Sequence, residues 1–224
     1  MIKFMILDVD GTITDQNRII SPDAMKNIKN GIEKGLNISL ISGNVIPVMF
    51  GLKTFLGING PVFGENGGIM YYNGKIEKFF SKEKPFKFLE YISTISSATA
   101  YFTNQWRETS AAFSMDPGDV EKVSTEAKKW NLNIVDSKFT WHIMNQGENK
   151  AYAVNIIKNL YGLNWDEILV AGDSDNDNPM FNLPVKKACP ANATNTIKSL
   201  SDYISPESYG NEIGDIMLKF KILP

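Results

Sequence analysis

The chain has 224 residues, of which 43% are hydrophobic and 21% charged, a balance that supports a packed core and excludes an intrinsically disordered chain. Its 23 basic and 25 acidic side chains leave a net charge of −2, so no global basic field draws in nucleic acid. One cysteine, Cys189, and one histidine, His142, exclude an internal disulfide, a multi-thiolate metal site and a His-rich zinc site, which leaves acid-base work to carboxylates.

The apolar opening, Met1 to Leu7, is cut by Asp8 and Asp10 before it reaches signal-peptide length. No run approaches the roughly 18 residues of a membrane span, so a soluble, cytoplasmic protein is expected. Residues 3–7 read as a buried strand that ends in Asp8-Val9-Asp10-Gly11-Thr12. Ser21-Pro22 then offers an N-cap and a first-turn proline; Ala24, Ile28 and Ile32 have helical spacing, and Gly35 is placed to stop the helix. A second apolar strand, 36–41, ends at Ser42-Gly43-Asn44, and a helix follows to Leu56. Residues 61–64 suggest a short strand, and 69–72 and 75–78 flank Asn73-Gly74, a type I′ hairpin signal.

From Pro85 the pattern changes. A helix over 86–96, strands over 98–103 and 109–115, a helix opened by Asp116-Pro117, and strands over 132–136 and 140–144 make an αββαββ unit. Lys150 then opens a helix to Leu160, and a strand at 167–171 runs into Gly172-Asp173-Ser174-Asp175-Asn176-Asp177. The spacing predicts an α/β fold: a doubly wound parallel-sheet core formed by residues 1–84 and 148–224, with a small α+β cap domain inserted at 85–147. Ile213, Ile216, Met217 and Phe220 give the last helix an apolar face that packs onto the core or, alternatively, serves a homodimer contact.

Two acidic clusters at strand exits, together with Ser42 and Lys150, share one sheet edge in such a fold, and ligands bind there. A phosphate monoester is a dianion, and a carboxylate approaching to about 4 Å meets about 4 kcal/mol of repulsion per charge pair at an effective dielectric near 20. Magnesium on Asp8, Asp173 and Asp177, with Lys150 on a phosphate oxygen, offsets that repulsion. Asp8 is then a nucleophile that forms an aspartyl phosphate, and Asp10, two residues on along an extended chain, points the same way and serves as general acid and base. A calcium loop starting at Asp173 is excluded, because its sixth position is Asn178 instead of glycine and its twelfth is Pro184 instead of glutamate. Arg107, in the turn between the first two strands of the inserted unit, either grips a substrate carboxylate or stands exposed beside Glu108. His142 and Trp106 are read as structural residues of that unit.

In order and spacing, Asp8-Val9-Asp10-Gly11-Thr12, Ser42-Gly43, Lys150 and Gly172 to Asp177 resemble the four motifs of the haloacid dehalogenase superfamily, in its Cof-like branch with an α/β cap. The resemblance implies a magnesium-dependent phosphatase of small phosphate monoesters. It assigns Asp8 as nucleophile and metal ligand, and Asp10 as acid/base with a backbone carbonyl on the metal. Ser42, Gly43 and Lys150 fall on the phosphoryl group, Asp173 and Asp177 on the metal, and Asn176 on the substrate. The motif-two glycine is followed by Asn44 where many members of that branch carry arginine. Segments 42–47, 64–68 and 188–193 are similar to archaeal-type phosphoglycolate phosphatases, which implies 2-phosphoglycolate as substrate and glycolate and phosphate as products. A sugar-phosphate phosphatase or a phosphotransferase of the same fold is the alternative. A non-enzymatic phospho-acceptor module has no use for a cap and a second acidic cluster.

Overall fold

A computed structural model describes residues 1–137 and 139–223. Strand β1 spans Phe4–Leu7 and is buried on both faces: Phe4 and Ile6 enter one apolar cluster, Met5 and Leu7 the other. That is why its sequence is continuously apolar instead of alternating. Helix α1 (Pro22–Glu33) is capped by Ser21, whose Oγ accepts from the Ala24 amide at 3.3 Å. Strand β2 (Asn37–Ile41), helix α2 (Ile46–Leu56) and strand β3 (Val62–Gly64) continue the alternation. Strands β4 (Ile69–Tyr72) and β5 (Lys75–Lys78) form the hairpin, with Asn73 and Gly74 both at positive φ, as a type I′ turn demands.

Next come α3 (Glu83–Ile95), β6 (Thr99–Ala100), β7 (Ala111–Ser114), α4 (Val120–Lys129), β8 (Leu132–Asp136) and β9 (Trp141–Asn145). The four strands form an antiparallel sheet in the order β6-β7-β9-β8. Phe88, Ile92, Phe113, Val123 and Ile143 give it an apolar core of its own. The chain then returns through α5 (Lys150–Tyr161), β10 (Ile168–Ala171), α6 (Asn178–Phe181), β11 (Lys186–Cys189), α7 (Asn195–Leu200), β12 (Tyr203–Ile204) and α8 (Glu212–Lys219). The larger sheet has the order β12-β11-β10-β1-β2-β3-β4-β5, parallel from β12 through β3 and antiparallel in the terminal hairpin. Ile213, Ile216 and Met217 of α8 are buried inward with Ala24 and Ile28 of α1, so the apolar face of the last helix is used within the chain. Among the described residues no helix is long and apolar enough to cross a membrane.

The expected strand over 98–103 is corrected: it shrinks to Thr99–Ala100, and Phe102–Trp106 is a 3-10 turn. The Asn104 side chain takes the place of a neighbouring strand, donating to Ala112 O at 2.8 Å and accepting from Ala112 N at 2.7 Å, which frees the backbone to turn. Trp106 packs edge-on against Phe102 of the same unit and stays half-exposed.

Buried glutamates fasten the two sheets together. The Glu65 carboxylate accepts the amides of Glu108, Thr109 and Ser110 at 2.8, 3.0 and 2.9 Å and the Ser110 hydroxyl at 2.8 Å. The single Thr109 hydroxyl proton lies between Glu65, at 3.1 Å, and Glu148, at 2.6 Å. Burial pushes the Glu148 carboxyl up to about 7, against the hydrogen bonds from Thr109 and Asn145. When protonated it donates to Thr109, whose own proton then serves Glu65.

Glu65→Ala strands three buried amides and should lower the unfolding free energy by about 3 kcal/mol in a urea titration, with Glu65→Gln losing less. The raised Glu148 value means the folded chain holds a proton that the unfolded chain releases between its usual 4.5 and about 7, so stability falls as pH rises through that window. Glu148→Gln should remove about 3 kcal/mol of the stability difference between pH 4.5 and 7, read by urea titrations at the two ends.

Candidate active site

Strands β1 and β10 are neighbours in register, Leu7 opposite Ala171, and the Asp8 amide donates to Ala171 O at 2.9 Å. From this pair the chain winds to β2 on one side and to β11 on the other, so both acidic clusters leave the sheet at its switch point. Glycine lets the clusters close on each other. Gly11 has φ +86, and a Cβ there would lie 2.6 Å from Asp173 Oδ2; a Cβ on Gly172 would lie 2.5 Å from Asp177 Cγ. Asp8, Asp173 and Asp177 are buried, with one oxygen of each within 4.8 Å of the others. Hard oxygen donors converging at that distance are the donor set a hard divalent cation takes, so the residues fit a magnesium-type ion.

Lys150 stands fully buried at the start of α5, whose N-cap Asn149 accepts from the Tyr152 amide. Its Nζ lies 2.5 Å from Asp8 Oδ1, 2.6 Å from Asp177 Oδ1 and 3.4 Å from Asn176 Oδ1. Burial alone disfavours the ammonium, but Asp177 and Asp8 outweigh it and hold Lys150 protonated. Burial pushes the Asp8 carboxyl well above the usual range; Lys150 pulls it down, and Asp177, Asp173 and Asp10 push it up. Asp177 Oδ2 accepts the amides of Asp173 and Ser174 at 3.0 Å each, so Asp177 faces the cluster through Oδ1. Asp175 is exposed and accepts from Thr194 Oγ1.

A cavity of about 250 Å³ opens over this edge. Asp8, Asp10, Ser42, Gly43 and Asn176 line it from the larger sheet, and Arg107 and His142 from the smaller one. The structure therefore gathers Asp8, Asp10, Ser42, Gly43, Lys150, Asn176, Asp173 and Asp177 at one edge, where the motif spacing placed them. Asp10 Oδ2 accepts from Asn44 Nδ2 at 2.8 Å, and Ser42 Oγ accepts from Asn44 Nδ2 at 2.9 Å.

Arg107 is only 3% exposed, which overturns the pairing with Glu108: that glutamate binds Lys78 at 2.5 Å and Lys82 at 3.5 Å. Instead Arg107 donates to Gly43 O and Ser110 Oγ, each at 3.0 Å, and its buried Nε–H has no partner among the described residues. His142, read from the sequence as structural, is a cavity wall, with Nε2 3.2 Å from Ser137 Oγ. Burial, with Arg107 and Lys150 adding to it, keeps its ring neutral. Arg18 escaped sequence reasoning altogether, because nothing in its loop marks it as facing Asp10; its Nε reaches Asp10 Oδ1 at 2.6 Å.

The model of the haloacid dehalogenase-like hydrolase family matches residues 5–111 and 107–216. A Thermoplasma acidophilum protein named phosphoglycolate phosphatase is 56% identical over 224 residues, covering 100% of both chains. One of the same name from Picrophilus torridus is 45% identical over 223 residues, covering 100% of this chain and 93% of its own length. A crystal structure of a Thermoplasma acidophilum protein superposes with a TM-score of 0.97 at 55% identity, covering 100% of both chains. On the matched motifs, the sheet order and these relatives, the chain belongs to the haloacid dehalogenase-like hydrolase family.

Proposed function

We propose that this protein is a magnesium-dependent phosphatase that hydrolyses 2-phosphoglycolate to glycolate and phosphate through an aspartyl phosphate on Asp8. The observation that carries it is a buried carboxylate, Asp8, facing a cavity beside the charged Lys150, with a second carboxylate, Asp10, in the same wall. The name of the relatives at 45–56% identity supports the choice of substrate. In this reading residues 85–147 form a cap on a core made of 1–84 and 148–224, and the arginine on its turn reaches the core.

Asp8, Asp173 and Asp177, with the Asp10 carbonyl, would hold the ion, which when bound supplies positive charge against the phosphoryl oxygens. Lys150, Ser42 and Gly43 orient the phosphoryl group. One oxygen of Asp8 attacks phosphorus as the bond to the glycolate oxygen breaks, and Asp10 gives its proton to that oxygen. Asp10 then accepts a proton from water, which attacks the acyl phosphate and regenerates Asp8. Arg107, in the cavity wall, brings its positive charge to the carboxylate end of the substrate, and Asn176 contacts the substrate from the acidic loop.

Asp8→Asn should abolish phosphate release from 2-phosphoglycolate by more than about 1,000-fold, and EDTA should do the same to the wild type until magnesium is restored. Activity surviving either treatment defeats the mechanism. Arg107→Ala should raise KM for 2-phosphoglycolate about tenfold while changing that for p-nitrophenyl phosphate by less than about threefold. Equal losses on the two would remove Arg107 from substrate recognition.

A further inference from the structure

We infer that Arg18 is a positioning residue that fixes the Asp10 carboxyl for proton transfer; the inference rests on the reading above that Asp10 carries the proton. Arg18 lies on the loop between β1 and α1, tied by a bridge between Thr14 and Ile20. Asp15 shapes its tip, accepting the amides of Asn17 and Ile19 at 2.8 and 2.9 Å. Arg18 itself is held at φ +64, a left-handed conformation that costs an L-residue roughly 1 kcal/mol and that places its side chain over the sheet edge.

The guanidinium works as a fork. Nε donates to Asp10 Oδ1 at 2.6 Å and Nη2 to Asn44 Oδ1 at 3.0 Å, while Asn44 Nδ2 donates to Asp10 Oδ2 at 2.8 Å. Each oxygen of Asp10 is thus gripped by a different residue, and those two residues are bonded to each other. The ring of three fixes the rotation of the carboxyl plane, which a single contact would leave free. From the other side the Phe139 ring covers the guanidinium, its centroid 5.3 Å from Cζ, so the fork is braced by the smaller-sheet unit. Arg18 lines the cavity, but its hydrogen bonds go to Asp10 and Asn44, which marks it as acting through Asp10.

Two substrates differ in their need for the Asp10 proton. Glycolate is a poor leaving group that needs the proton of Asp10, whereas p-nitrophenolate departs without one. Arg18→Met should lower kcat for 2-phosphoglycolate about 30-fold with KM changed less than about threefold, and lower kcat/KM for p-nitrophenyl phosphate less than about threefold. Arg18→Lys should recover less than about a tenth of the lost kcat, because an ammonium cannot bridge both partners. A rise in KM for 2-phosphoglycolate with kcat preserved, an equal loss of kcat/KM on both substrates, or full rescue by lysine overturns the inference. A wild-type protein inactive on both substrates defeats the function proposed above instead, and an unchanged thermal midpoint in both variants separates these results from misfolding.

Discussion

The site depends on one electrostatic constraint: three carboxylates must lie within 4.8 Å of one another, away from bulk water. Like charges at about 4 Å repel by about 4 kcal/mol per pair at an effective dielectric near 20, so the fold has to supply compensation at the same spot. It does so locally. Lys150 bonds Asp8 and Asp177 together, and two backbone amides satisfy Asp177 Oδ2. The glycines at 11 and 172 remove the side chains that would keep the clusters apart. A lysine at a helix start runs against the helix dipole, so its place there comes from the carboxylates it serves.

The sheet edge was legible because its determinants are local. A strand buried on both faces must be apolar throughout, and an abrupt acidic tail on such a run marks where it leaves the core, as at Leu7-Asp8 and Ala171-Gly172-Asp173. The hairpin at Asn73-Gly74 declares itself through the positive φ that these two residues tolerate. Sequence order then put β1, β10 and α5 in the arrangement that gathers Asp8, Asp173 and Lys150.

What stayed hidden was set by contacts between distant segments. The strand over 98–103 is lost to the side chain of Asn104, which competes for Ala112 with a geometry no periodicity reveals. Arg18 meets Asp10 only because a loop folds back, and His142 alternates like any strand residue although its ring faces the cavity. Arg107 could be placed on a turn, but its partners, Gly43 and Ser110, follow from where the smaller sheet sits. That placement is held by Glu65, whose own backbone lies at φ +51, together with Glu148 and the Arg107 bond to Gly43.

Glu65 ties the far wall of the cavity to the larger sheet. Its anchors are main-chain amides of residues 108–110, which follow directly on Arg107, so the fastening and the cavity wall belong to one stretch of chain. Swinging residues 108–110 away would exchange these bonds for bonds to water, a net loss of about 1.5–3 kcal/mol for each bond to the charged carboxylate. The arrangement with Arg107 against Gly43 is therefore the favoured one, and Val48, Tyr101 and Phe139 stand in the cavity wall around it. The girth of the space left for a ligand is thus a property of the seam between the two sheets and of neither one alone.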